Sequence, residues 1–254
     1  MHTLDTIMSK LANLRVHVAP VGFEIDRIVI PAKSMKADKV WLLIHDNPSE
    51  DKAGPFIEKV KKQLKMEKIQ FDIARHDRKD LFKIIKSVKE IINSENQNSI
   101  YVNLSSGSKI QSIGCMMSCM MFHGKTNVVP FYAEAESYPG FKGEQQSTGV
   151  KEIIQIPSYD IQIPEERHIK ALQIIKENGG KLTKKQMAEL ADKHKIITVD
   201  ARKENYSQAR FASLDKNIIY PLLVHWKFIE EEKIGRTRWI KLTSEGNNAS
   251  EFLI

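Results

Sequence analysis

Cysteine is scarce in this chain, which contains only Cys115 and Cys119 among its 254 residues. The two lie four positions apart, on one face of a predicted helix and among methionines, where buried free thiols are the usual finding. A metal site would need two further ligands, and none is nearby in the sequence. The pair therefore predicts packed, reduced thiols, and we expect neither a metal ion nor a cofactor.

Long apolar runs are also missing. No stretch approaches the roughly 18 apolar residues that a membrane span needs, and residues 1–16 lack the charged start, long apolar run and small-residue cleavage site of a signal peptide. No repeat with a period of 20–50 residues stands out either, which excludes a repeat array. We therefore expect a cytoplasmic protein with no membrane contact.

Acidic residues are outnumbered: 32 Asp and Glu stand against 39 Lys and Arg, for a net charge of +7. An excess of this kind favours a polyanionic partner, although a mild excess of lysine also aids solubility. The apolar share of 41% and the charged share of 28% are typical of a globular protein. The length allows one large domain or two modest ones.

Strand-like and helix-like segments alternate from residue 14 to about residue 155. Buried strands are predicted at residues 14–19, 39–44, 69–74, 99–102, 127–133 and 151–156. Helices are predicted at residues 24–36, 55–66, 78–93 and 110–123, with Pro31 interrupting the first and Asp77 capping the third. This alternation predicts an α/β domain over residues 1–157, a Rossmann-like parallel sheet with helices on both faces. The turn-forming residues 138–149 predict a loop.

The segment after the fourth strand, residues 103–109 (NLSSGSK), is the most informative in the chain. It lies at the carboxyl end of a strand and the amino end of a helix, where ligands bind in open α/β sheets. Free backbone N–H groups, the helix dipole and the ammonium group of Lys109 all favour an anion there. The pattern is neither a Walker loop nor Gly-x-Gly-x-x-Gly. A serine-rich turn of this kind is also a common helix cap.

The character of the sequence changes near Pro157, and residues 158–164 are predicted to be a linker. Residues 165–254 then predict helices at 165–178, 184–193 and 206–224, with Thr183 capping the second and Pro221 disturbing the third. Two β-like arms follow at 228–230 and 238–242, with Gly235 near the turn, and a short helix begins at Ser244. Three helices followed by a hairpin predict a winged helix-turn-helix domain.

This second domain has a basic surface suited to DNA. From residue 165 onward there are 17 Lys and Arg against 13 Asp and Glu. On the third helix, base edges would be faced by Gln208, Arg210, Ser213 and Asn217. On the wing, Arg236 and Arg238 would contact phosphates. The alternative is a solvated helix in a domain that only mediates dimerisation.

Two motifs give the chain a family resemblance. Residues 17–27 (HVAPVGFEIDR) and 103–109 together resemble a CRISPR-associated Rossmann-fold (CARF) domain, with Ser108 where threonine is common. With the winged helix, the whole resembles archaeal transcription regulators of the Csa-three type and a related archaeal family. His17 and Arg27 are equally well explained as structural residues.

The resemblance implies a homodimer whose strand-four loops meet at a two-fold axis and bind a cyclic oligoadenylate across it. The residues it assigns to the ligand are Gly22, Phe23, Glu24, Asn103, Ser105, Ser106, Gly107, Ser108 and Lys109. Two copies of the strand-four loop would present symmetric hydroxyl, amide and ammonium donors to a polyanion. Another nucleotide, or no ligand, is the alternative.

The leading prediction is a nucleotide-gated regulator that binds double-stranded DNA. The alternative is a ring nuclease, or another Rossmann-type enzyme with a dimerising tail, in which Ser106 and Lys109 would position the ligand for self-cleavage. A third possibility is an adaptor whose winged helix binds protein. An enzyme is less expected, because the Arg-x4–6-His motif of the ribonuclease relatives is absent from the second half of the sequence.

Overall fold

The computed structural model of the chain describes residues 13–122, 127–139 and 145–254. The predicted helix end at His123, the middle of the loop 138–149 and the segment before residue 13 lie outside the described residues. The chain divides into two compact units, Met1–Gln162 and Ile163–Ile254.

The first unit is built on a six-stranded sheet. Its strands are β1 Arg15–Pro20, β2 Lys39–His45, β3 Gln70–His76, β4 Ser99–Asn103, β5 Val128–Glu134 and β6 Glu152–Gln155. They lie in the order β3-β2-β1-β4-β5-β6, and the first five strands are parallel. This confirms the Rossmann-like α/β fold, with one correction: β6 pairs with β5 in the antiparallel direction. An isolated antiparallel bridge between Ser137 and Thr148 continues this pairing beyond the two strands.

Within the described residues, four helices flank this sheet. They are α1 Asp26–Ser34, α2 Gly54–Met66, α3 Leu81–Ser94 and α4 Lys109–Phe122. The first two pack against each other, as do the last two. A buried apolar cluster joins α1 and α2 to β1 and β2, with Ile28, Leu42 and Leu64 at its centre. Burying these side chains is the main source of stability, because each contributes about 1.5–3 kcal/mol relative to exposure.

The start of α3 differs from the prediction. Asp80, and not Asp77, is its N-cap: the Asp80 carboxylate accepts from the backbone N–H groups of Phe82 and Lys83. Asp77 instead accepts from the N–H of Lys79, in the turn before the helix. Asp77 and Asp80 are equally suitable N-cap residues by sequence. The apolar face of the helix begins at Leu81, so the helix starts after Asp80.

The second unit is a winged helix domain. Its elements are α5 Glu166–Glu177, β7 Lys181–Thr183, α6 Lys184–Lys193, α7 Tyr206–Leu214, β8 Ile229–Ile234, β9 Thr237–Leu242 and α8 Ser244–Leu253. The strands form an antiparallel sheet in the order β7-β9-β8. Thr183 caps α6 in a capping box with Gln186, as the sequence predicted for Thr183, whereas the short strand β7 was not predicted.

The third helix of this unit is not α-helical to its end. The α-helix stops at Leu214, and the chain continues in wider, π-helical turns over Asp215–Ile219 and Pro221–His225. There the N–H of Trp226 donates to the carbonyl of Pro221, five positions back. Pro221 cannot donate a hydrogen bond, and wider turns on both sides of it keep the chain helical.

Both cysteines are free and buried, as predicted. Burial raises the pKa of the Cys115 thiol to about 12, so this sulfur stays protonated and unreactive. Within the described ranges, no group of three or more His, Cys, Asp and Glu side chains is arranged to hold a metal ion. None of the helices described here combines the length and apolar character needed to cross a membrane.

Candidate functional site

Two loops meet at the point where the strand order reverses. β1 and β4 are neighbours in the sheet, yet β1 leads into α1 and β4 into α4, and the carboxyl ends of two such strands are where ligands bind in open α/β sheets. We call residues 21–25 the first loop and residues 104–108 the serine loop. A Cβ added to Gly22 of the first loop would lie 3.0 Å from the Cα of Gly107. The backbones of the two predicted motifs, residues 17–27 and 103–109, are therefore in contact at Gly22 and Gly107.

Asn103 ties the end of β4 to α1. Its Nδ2 donates to the backbone carbonyl of Arg27 at 2.7 Å, and its Oδ1 accepts from the N–H of Ser105 at 2.8 Å and from the Ser105 hydroxyl at 2.7 Å. The Arg27 carbonyl is available because its usual helical partner would be the N–H at position 31, which Pro31 lacks. The helix continues through Pro31, and the Arg27 carbonyl that Pro31 leaves without a helical partner accepts the hydrogen bond from Asn103.

The serine hydroxyls are also used inside the protein. The hydroxyl of Ser105 accepts from the N–H of Ala133 on β5 at 2.6 Å, and that of Ser106 donates to the carbonyl of Pro20 at 2.7 Å. Both serines are buried. The side chains of Asn103, Ser105 and Ser106 therefore shape the serine loop by joining it to α1, β5 and β1, respectively.

Ser108 forms a capping box with Gln111, a residue that the sequence analysis missed. The Ser108 N–H donates to Gln111 Oε1 at 2.9 Å, and the Gln111 N–H donates to the Ser108 hydroxyl at 3.3 Å. The Ser-x-x-Gln spacing before an apolar helix is the signal that would have identified it. The helix-cap interpretation of the loop is therefore correct for Ser108.

The groups left for a ligand are backbone amides and one ammonium group. Among the described residues, no acceptor takes the backbone N–H of Ser106 or Gly107. Gly107 has a φ of 80°, and a Cβ there would overlap the side chain of Pro20, so only glycine fits. Lys109 is exposed and has no ion-pair partner in the described part of the chain. These donors lie at the positive end of α4, an arrangement suited to phosphate.

The side chains of the first loop mostly make contacts inside the protein. The ring of Phe23 packs edge-on against Phe56, at 5.3 Å between centroids. Glu24 is buried, lies 3.5 Å from a guanidinium nitrogen of Arg27 and accepts from the hydroxyl of Ser147. Glu24 therefore holds the chain beyond β5 onto α1, and Gly22 is the residue of this loop in contact with the serine loop.

Arg27 and His17 have structural surroundings. Arg27 donates to the carbonyl of Ala133 at 2.8 Å and stacks over the ring of Tyr132 at 4.9 Å. The imidazole of His17 packs near the rings of Tyr101 and Phe131, at 5.4 and 5.5 Å between centroids. Burial lowers the pKa of His17 to about 4, so the ring is neutral near pH 7.

The helix that follows the serine loop is apolar on two sides. Its inner face is buried and includes Gly114, Cys115 and Cys119. Its outer face contains Ile113, which is 51% exposed, together with Met116 and Met120, which are partly exposed. An apolar outer face on a sheet-flanking helix indicates a contact surface.

In the winged helix, Arg210 is turned inward. Its guanidinium lies 3.7 Å from the carboxylate of Asp192 on α6, and the Tyr206 hydroxyl donates to the same carboxylate at 2.9 Å. Ser213 donates to the carbonyl of Thr198, and Asn217 donates to Ser213. Three of the four side chains predicted to face base edges are thus engaged within the domain.

A different face of α7 is open to solvent. Four exposed residues of α7 and its continuation recur every four positions, which places them on one side of the helix. They are Gln208 and Ala212 on α7, Lys216 in the π-helical turn Asp215–Ile219, and Tyr220 directly after that turn; Ser207, beside Gln208, is exposed as well. Gln208 and Lys216 have no hydrogen-bond partner among the described residues. This stripe includes Gln208 from the predicted set and adds Lys216.

The wing contains both free and paired cations. Arg236, at the turn between β8 and β9, is exposed and has no partner in the described part of the chain. Arg238 lies 3.7 Å from Glu231, whose carboxylate also lies 3.4 Å from Lys184 at the start of α6. Arg236 is therefore free to contact phosphate, whereas Arg238 is paired within the wing and Glu231 links the wing to α6 through Lys184.

Two family models match the chain. Residues 15–138 match the family described as "HFX_2341_N:-like, N-terminal", and residues 167–254 match the C-terminal winged helix domain of DUF6293. The chain is also 28% identical, over 228 residues, to an uncharacterized protein of Methanocaldococcus jannaschii, an alignment covering 76% of this chain and 67% of that protein.

Solved structures show a weaker likeness. Enterococcus italicus Csm6, bound to a cyclic hexa-2'-fluoro-hexa-dAMP, has a TM-score of 0.43 and 10% identity, covering 84% of this chain and 56% of that one. Can2 from Sulfobacillus thermosulfidooxidans, in complex with cyclic tetra-adenylate, has a TM-score of 0.42 and 12% identity, covering 94% and 61%. The chain thus spans less than two thirds of either protein, and likeness at this level does not extend their ligands to it.

Proposed function

We propose that this protein is a nucleotide-gated DNA-binding regulator, a CARF-like relative of the Csa-three type, whose ligand is a cyclic oligoadenylate. The observation that supports this most is the contact between Gly22 and Gly107 at the switch point, beside unpaired N–H groups and Lys109. These donors match phosphate, and the residue pattern 103–109 resembles that of CARF domains.

A homodimer is part of the proposal. One serine loop offers few donors, whereas two loops related by a two-fold axis would encircle a symmetric polyanion. Lys109, Ile113, Met116 and Met120 lie on one side of α4, so an apolar contact through this face would bring the two ammonium groups together. Burial of the exposed Ile113 side chain would favour that contact.

Double-stranded DNA is the proposed partner of the winged helix. The exposed stripe would lie at the major groove, where Gln208 would face base edges. Lys216 and Arg236 would contact phosphates. Arg210 and Arg238 would act by holding the helix and the wing in place, because both are paired with carboxylates. In this assignment, the cations without a carboxylate partner contact the DNA, and the paired cations stabilise the domain.

The nuclease alternative has less support. It assigns catalysis to Ser106 and Lys109, yet the Ser106 hydroxyl is buried and donates to Pro20. Lys109 alone could stabilise the negative charge that develops on the attacked phosphate, but positioning the ribose 2′-hydroxyl for attack would fall to backbone groups.

The decisive experiment combines ligand and DNA. A thermal-shift screen of cyclic and linear oligoadenylates would identify the ligand, and footprinting with and without it would measure gating. We expect a cyclic compound to stabilise the protein and to change DNA affinity, with an equal and reciprocal effect of DNA on ligand affinity. If DNA affinity is the same with and without bound ligand, the two domains bind their partners independently and the protein is not nucleotide-gated.

A further inference from the structure

Gln111 connects the serine loop to a distant strand end. It is completely buried in the first turn of α4. Its Oε1 accepts from the N–H of Ser108, and its Nε2 lies 3.1 Å from Nε2 of His76, the last residue of β3. A Cβ on Gly107 would lie 2.9 Å from the same Oε1. The amide thus touches the serine loop on one side and β3 on the other.

The orientation of this amide is dictated by its partners. The Ser108 N–H is a donor, so the side of Gln111 that faces it must be the oxygen. The NH2 group of Gln111 therefore faces His76, and Nε2 of His76 must accept. His76 then has its proton on Nδ1, which has no partner in the described residues. Among the described residues, the contact with Gln111 is what fixes the tautomer of His76.

We propose that Gln111 is a positioning residue for the ligand of the serine loop, and that neutral His76 is the acceptor that fixes its amide. This inference rests on the proposed function, because it concerns the same loop. If His76 could not accept, the Gln111 amide would have an unpaired buried donor, and rotating the amide would remove the acceptor from Ser108. The turn at Gly107 would then lose its support, and its free N–H groups would no longer be aligned.

The surroundings of His76 keep it neutral. Burial is the main cause that lowers its pKa to about 4. The charged and titratable groups facing it are Asp46 and Asp77, which favour protonation, and His45 and Arg78, which oppose it. The ring therefore remains an acceptor across the neutral range, and the Gln111 amide keeps one orientation.

The test compares three variants by calorimetry with cyclic tetra-adenylate. His76→Leu removes the acceptor and should weaken binding about tenfold. His76→Gln can present an oxygen at the same place and should bind within a factor of about two of wild type. Gln111→Glu keeps an acceptor for the Ser108 N–H but cannot donate to neutral His76. The ligand affinity of this variant should therefore change between pH 8 and pH 5. The ligand affinity of the wild type should stay constant over the same range.

A matched control exists in the other unit. Gln186 occupies the same capping-box position on α6, so Gln186→Glu should leave ligand affinity and its pH profile unchanged. If wild type binds and both His76→Leu and Gln111→Glu bind equally well at every pH, the inference is wrong while the proposed function stands. If wild type binds no oligoadenylate, the proposed function fails, and this inference fails with it.

Discussion

Gly22 and Gly107 are in backbone contact, although 85 positions separate them in the sequence. A methyl group on Gly22 would approach three backbone atoms of Gly107, the nearest at 3.0 Å. Backbone cannot move aside as a flexible side chain can. The spacing of the first loop and the serine loop is therefore set by the absence of a side chain at Gly22.

Gly22→Ala should separate the two loops and weaken ligand binding more than it lowers stability. We expect the free energy of unfolding to fall by about 1–3 kcal/mol, the usual cost of overpacking. Calorimetry with the best ligand from the screen would measure the affinity. Gly54→Ala is the control, because a Cβ there meets no atom within 4 Å. Equal affinities for both variants would place the site away from this contact.

Lys109→Ala should weaken binding of a phosphate ligand by about 1–3 kcal/mol, the range for a hydrogen bond to a charged group. The loss should shrink at high salt, because an exposed ammonium group is screened. Lys86→Ala, which removes an exposed lysine from α3, should change nothing. Unchanged affinity in Lys109→Ala would mean that the anion binds elsewhere.

Ile113→Glu should convert the proposed dimer to a monomer, because it puts a charge into the apolar outer face of α4. Sedimentation velocity at micromolar concentration would measure the mass, and circular dichroism would show that the fold is kept. Met66→Glu is the matched control, since Met66 is 72% exposed on α2, outside the proposed contact. A monomer in wild type would contradict the dimer.

Lys216→Ala and Arg236→Ala should each weaken DNA binding on all sequences and reduce the salt slope by about one, as expected for phosphate contacts. Gln208→Ala should instead cost about 1–3 kcal/mol at a single base position. Fluorescence anisotropy on an operator and on mutated operators separates these two effects.

Arg210→Ala, on the same helix as Gln208, should affect stability more than DNA binding. Its guanidinium pairs with Asp192, so its loss should mainly lower the melting temperature of the winged helix. Lys170→Ala, on α5, should leave DNA binding unchanged. A loss of sequence preference in Arg210→Ala without a loss of stability would restore Arg210 as a base-reading residue.

Acid should destabilise the first unit through its buried histidines. The pKa of His17 in the folded state is about 4, below the ordinary 6.5, so the unfolded chain binds the proton first. Stability is therefore complete above pH 6.5 and falls toward pH 4, by roughly 2 kcal/mol for His17 between pH 6.5 and pH 5. Urea unfolding of His17→Asn should show a shallower decline over that range. His225→Asn, at an exposed site, should keep the wild-type slope.

The sequence by itself determined the element pattern, because periodicity and caps are local. The alternation of strands and helices predicted the sheet, and Thr183 predicted the start of α6. The position of the serine loop also followed from local pattern. The capping box of Ser108 and Gln111 is equally local, and it could have been found from its spacing alone.

Only the tertiary structure decided where the polar side chains of the site point. Asn103 was predicted to face a ligand, but the carbonyl it contacts belongs to Arg27, 76 positions away. Arg210 turns toward Asp192 on another helix. The antiparallel direction of β6 likewise appears only in its pairing with β5. A side chain follows the nearest unpaired donor or acceptor, and that partner is known only once distant segments have packed together.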